Sequence, residues 1–131
     1  MILICCVDDH MGMTFHRRRQ SQDRVLRQRI LERSGGDLWM NEYSAKQFAG
    51  EAAPITVDAH CLRNCPDGAY CFVEDQPVDA CDPQQIVLYR WNRAYPADAY
   101  FALPLERWRL VSTEQFRGHS HDCITEEVYI K

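Results

Sequence analysis

Asp8 and Asp9, with His10 behind them, follow directly on the apolar run Ile2 to Val7. Two carboxylates at the end of a buried strand can hold Mg²⁺ for phosphoryl chemistry, with His10 or His16 as further ligands. Adjacent strand residues face opposite ways, however, so capping of the following turn is the simpler expectation for this pair. The next segment is basic: seven arginines lie between positions 17 and 33 against two acids, Asp23 and Glu32. Guanidinium groups grip phosphate and carboxylate in bidentate fashion, so Arg19, Arg24 and Arg27 are candidates for an anion site. The bland reading is a solvated face partly neutralised by Asp8, Asp9 and Glu32. Asp23 reads either as a desolvated acid of raised pKa ready to give up a proton, or as an exposed carboxylate in a helix's first turn.

Two further sets contain metal-ligand types. Cys61, Cys65, Cys71 and Cys81, with His60 beside the first, lack the paired short knuckles of a zinc site and are expected to be separate thiols. His119-Ser120-His121-Asp122 resembles half of the His-x-His-x-Asp-His signature of metallo-β-lactamase-type hydrolases. The other half is missing, which leaves a turn contact near the last strand as the expectation. No metal site is expected from either set.

The elements that must position these residues can be read in order. Ile2 to Val7 is an unbroken apolar run suited to a strand covered on both faces, and the polar residues after it then lie at the sheet's carboxyl edge, where open α/β sheets bind ligands. Met11-Gly12-Met13 reads as a flexible loop. Ser21 is a fair N-cap for a helix over Gln22 to Arg33, with Val25, Leu26, Ile30 and Leu31 as its apolar face and Gly35-Gly36 ending it. Strands are expected at 38–40, 55–57, 70–73, 85–91 and 108–113, with a brief helix at 44–48 and a helical turn after Cys61. The segment 123–130 fits neither period cleanly. Helical patterns alternate with strands early and strands dominate late, which predicts a mixed sheet with an antiparallel end.

A chain of 131 residues can bury a real core as one domain spanning 1–131. The formal charge of -4 gives no general reason to expect nucleic-acid binding, and no apolar run approaches a membrane span. The seven cysteines, two of them inside the first strand, fit a reducing, cytoplasmic setting. Oligomeric state is not legible.

Taken together, the segments resemble the dihydrofolate reductase fold. Ile2 to Val7, the Gly12 loop and Ser21-Gln22-Asp23 match that family's first strand, active-site loop and acid-bearing helix start. Ala97-Asp98-Ala99-Tyr100-Phe101 and Trp108 match its C-terminal part, which makes 123–130 a strand. The resemblance implies a single three-layer α/β domain with a central mixed sheet and antiparallel C-terminal strands. It places Asp23 at the family's acid, Met13 in the active-site loop, and Tyr89 where a threonine supports that acid, so that the phenol is expected to hydrogen-bond Asp23. The family's NADPH phosphates meet a Gly-Arg pair after the second strand and a paired-glycine turn after a later one. Here Asn41-Glu42 and Glu74-Asp75 stand there, and carboxylates repel a pyrophosphate.

The expectation is therefore a divergent pocket protein with no cofactor, binding an anionic small molecule such as a nucleotide or organic acid. Arg19, Arg24, Arg27 and Met13 are expected to line the pocket, with Asp23 and Tyr89 as its chemical pair. The first alternative is an NADPH-dependent pterin or dihydrofolate-type reductase with Asp23 as proton donor. The second is a metal-dependent phosphodiesterase or ribonuclease.

Overall fold

The computed structural model describes all 131 residues. Ile2–Val7 form β1, and its alternation divides the core: Leu3, Cys5 and Val7 enter one apolar cluster, Ile4 the other. The chain continues through β2 (Gly12–Phe15), β3 (Arg18–Arg19), α1 (Arg24–Ser34), β4 (Leu38–Met40), α2 (Glu42–Gln47) and β5 (Ile55–Val57). It then makes α3 (Cys61–Asn64), β6 (Tyr70–Phe72), β7 (Gln85–Arg90), β8 (Ala99–Tyr100), β9 (Arg109–Phe116) and β10 (Ile124–Ile130).

Seven strands form the main sheet in the order β5-β4-β6-β1-β7-β10-β9. The first five run parallel, and β10 pairs antiparallel with both β7 and β9. Leu26 and Ile30 of α1 and Phe48 after α2 pack on one face with Ile4, Val87 and Tyr89; Cys61 of α3, Val78 and Met13 cover the other with Leu3, Cys5 and Leu88. Each fully buried Leu or Ile side chain in these layers contributes about 2 kcal/mol through area removed from water. The mixed sheet, its antiparallel end and the strand over 124–130 agree with the expectation.

Three local expectations are corrected. Met11 to Met13 are not a plain loop: Gly12 and Met13 begin β2, which pairs with β3 and β8 in a separate three-stranded sheet. Asp8 Oδ1 accepts the N–H groups of His10 and Gly12 and turns the chain back. Beyond β2, His16 and Arg17 both adopt positive φ in a two-residue hairpin turn, the conformation that usually calls for Asn or Gly. Ser21 does not cap α1. Asp23 does, accepting from Val25 N at 2.9 Å and Leu26 N at 3.3 Å, so the helix begins two residues later and closes on Gly35 in the left-handed region. The second helix starts at Glu42 because the Asn41 side chain accepts from Ser44 N.

Candidate functional site

The start of α1 and the turn between β9 and β10 meet at one carboxylate. Asp23 is 2% exposed. Besides its cap bonds, Oδ1 accepts from His119 N at 2.9 Å, while Oδ2 accepts from Ser120 N at 2.9 Å and Ser120 Oγ at 3.3 Å. His121 Nδ1 lies 2.9 Å from the same Oδ2. Gly118 makes this approach possible, since a Cβ there would stand 2.6 Å from Asp23 Oδ2. Burial alone would raise the Asp23 carboxyl; the donors from His119, His121, Ser120 and Leu26 outweigh it and hold the group well below the usual carboxylate range. The expectation of a raised, proton-donating acid is thereby reversed, because the site supplies hydrogen bonds to the charged form.

An ionised Asp23 accepts only, so Nδ1 of His121 carries the hydrogen and Nε2 is an acceptor in the neutral ring. Nε2 faces Ser21 Oγ at 2.9 Å and the Tyr95 hydroxyl at 3.3 Å. The imidazole is 5% exposed and stacks on Trp91, with ring centroids 4.6 Å apart. Ser21, Asp23 and His121 thus form a continuous hydroxyl–imidazole–carboxylate chain. The sequence marked His121 as a turn contact and Ser21 as a cap, and nothing in their spacing of a hundred residues couples them.

The expected site residues divide among several places. Arg24 and Arg27 share a pocket of about 340 Å³ with Gln22, Asp23, His119 and Ser120. There Arg24 Nη2 lies 3.2 Å from His119 Nδ1, and Arg27 Nη1 donates to Gln22 Oε1 at 3.3 Å. Arg27 Nε is buried without a hydrogen-bond acceptor, its nearest carboxylate being Glu51 at 3.6 Å. Arg19 points elsewhere: it forms a two-pronged pair with Glu74, at 2.9 and 3.1 Å, and lies over the Tyr43 ring. Met13 belongs to the core and borders a different pocket, of about 290 Å³, with Glu74 and Tyr100. Tyr89 does not reach Asp23; its buried hydroxyl donates to Glu126 Oε1 at 3.2 Å, drawn to the acid that also pairs with Arg29 and Arg33. Burial, then the Glu126 charge, push the Tyr89 phenol far up, so it stays protonated.

Asp8 is buried and uses both carboxylate oxygens on the chain itself, taking the N–H groups of His10, Gly12 and Tyr95 and the Gln20 amide. At the carboxyl ends of β4 and β6, Asn41 donates to Asp75 Oδ1 at 2.8 Å beside the Arg19–Glu74 pair.

No family model matches the chain, and no curated protein matches it. Among solved structures, dihydrofolate reductase from Enterococcus faecalis, complexed with NADP(H) and RAB-propyl, superposes with a TM-score of 0.65 at 11% identity. The match covers 98% of this chain and 94% of that one. The fold is therefore that of dihydrofolate reductase over essentially the whole chain. No helix is long and apolar enough to cross a membrane.

Proposed function

We propose that this protein binds an anionic small molecule, a nucleotide or an organic acid, at the pocket beside the start of α1, and that it does not work as an NADPH-dependent reductase. The observation that carries the reading is the pair Arg24 and Arg27 on the wall of one pocket that holds no apolar residue. A phosphate or carboxylate oxygen would accept from these guanidinium groups, and its repulsion by the Asp23 carboxylate is offset by the six donors that carboxylate already holds. Arg24 supplies the second cation. Arg19 contributes no contact here, since Glu74 holds it.

The reductase alternative asks for a proton from Asp23 and room for a pyrophosphate beyond β4 and β6. The first runs against a carboxyl held in its ionised form, and the second against the Glu74 and Asp75 carboxylates at that edge. The metal-dependent alternative needs free oxygens on Asp8, which its four donors occupy. Seven unpaired cysteines support a reducing, cytoplasmic setting.

Calorimetric titration with inorganic phosphate, citrate and adenosine monophosphate tests the proposal. The expected result is saturable binding by at least one of them, weakened roughly tenfold or more in Arg27→Ala and Arg24→Ala and falling with added salt. Absence of binding by all three, or affinity unchanged in Arg27→Ala, would overturn it. NADPH oxidation with dihydrofolate, abolished in Asp23→Asn, would establish the reductase instead.

A further inference from the structure

We propose that Ser21, His121 and Asp23 form a nucleophile, base and orienting acid for acyl transfer, hydrolysing a small carboxylic ester. The three groups have the required order of contacts. The Asp23 carboxylate takes the Nδ1 hydrogen at 2.9 Å and fixes the tautomer, and Nε2 faces the Ser21 hydroxyl at 2.9 Å. His121 is held between Trp91 and the 118–120 turn, so its ring is preorganised. Ser21 is half-buried, and its chain neighbour Gln20 and the Tyr95 ring that shares its base line a pocket of about 500 Å³ with Phe15, Arg18 and Pro96, among others. Phe15, Tyr95 and Pro96 give that pocket apolar and aromatic walls, which suits an ester with an aryl or short acyl portion.

In the step this assigns, Ser21 Oγ bonds to the ester carbonyl carbon as its hydrogen passes to His121 Nε2. Collapse of the tetrahedral adduct breaks the bond to the leaving oxygen, which departs as the alcohol with that hydrogen. Water then adds to the acyl carbon while Nε2 takes its proton. The bond to Oγ breaks, Ser21 regains a hydrogen from Nε2, and the carboxylic acid leaves. Ester and water give acid and alcohol, with no other reactant.

The arginine pocket shares Asp23 with this site but neither Ser21 nor His121, so anion titration reads the one proposal and labelling of Ser21 reads the other. The test uses the full chain with a fluorophosphonate probe, intact-mass detection and peptide mapping, together with release of p-nitrophenol from p-nitrophenyl acetate. The expected result is a single adduct on Ser21. Its rate should fall roughly 100-fold or more in Ser21→Ala and His121→Gln and rise with pH, as general-base activation requires. Ser21→Ala leaves the Asp23–His121 contact intact, and circular dichroism checks that both variants are folded. An unlabelled Ser21 overturns the proposal, as does labelling that is undiminished in folded His121→Gln. If His121→Gln does not fold, the pH profile of Ser21 labelling in the unaltered protein decides: a flat profile rejects the base.

Discussion

At Asp23, two effects of a protein interior oppose each other. Removal from water favours the neutral acid, while several donors aimed at its oxygens favour the anion, and here the donors prevail. The sign of the pH dependence follows. A carboxyl whose folded pKa lies below its unfolded value of about 3.9 stabilises the fold fully above that value and loses the contribution as pH falls further. Asp23→Asn, which keeps a capping oxygen but loses the charge, is expected to destabilise by about 2 kcal/mol at pH 7. Urea unfolding should show that the gap between variant and parent narrows below about pH 3.9. An equal stability at pH 7 would mean that the carboxylate does not hold the turn to the helix.

The turn between β9 and β10 is positioned by space as much as by hydrogen bonds. Gly118 N donates to His121 O at 2.9 Å, and a methyl group at Gly118 would meet Asp23 Cγ at 2.9 Å and Ile124 Cδ1 at 3.0 Å. Neither neighbour can swing away, because one is the pinned carboxylate and the other is fully buried. Gly118→Ala is therefore expected to cost about 2 kcal/mol and to displace His119 to His121. Thermal unfolding reads the first effect. A changed environment for the His121 ring protons by NMR reads the second; an unperturbed ring would show that the turn does not need a glycine.

Across the molecule, α1 is clamped to the antiparallel end of the sheet by charge. Glu126 on β10 is 3% exposed and receives Arg29 at 2.9 Å, Arg33 at 2.7 Å and the Tyr89 hydroxyl; Arg29 also pairs with Glu114 on β9 and lies over Phe116. Such a network is costly to break from one side, because the remaining charges lose their partner in a partly desolvated place. Glu126→Ala is expected to destabilise by about 3 kcal/mol in denaturant unfolding. A cost near zero would place the holding force in the apolar contacts of Leu26 and Ile30 alone. Asp23 and the Arg24–Arg27 pocket sit at the opposite end of the same helix, so this clamp fixes the angle at which the site is presented.

The sequence by itself determined the inner strands of the main sheet and the order of its elements, since apolar runs such as Ile2–Val7 and Ile86–Tyr89 suit a sheet covered on both faces; it did not show β2, β3 or β8, and 124–130 became a strand only through the family resemblance. It also marked Asp23 and Arg27, whose types advertise charge near a helix start. It did not reveal the hairpin at His16-Arg17, because the pair lacks the Asn-Gly or Asp-Gly signature of a two-residue turn. Tyr89 aligned with a family position but turned to Glu126, because a buried phenol goes to the strongest acceptor within reach. Only the tertiary structure placed Arg19 on Glu74 and Met13 in the core, and only it joined Ser21 and Tyr95 to His121. Periodicity records which face of an element is buried; it carries no record of which polar groups, far apart in the chain, are brought within 3 Å once the sheet has closed.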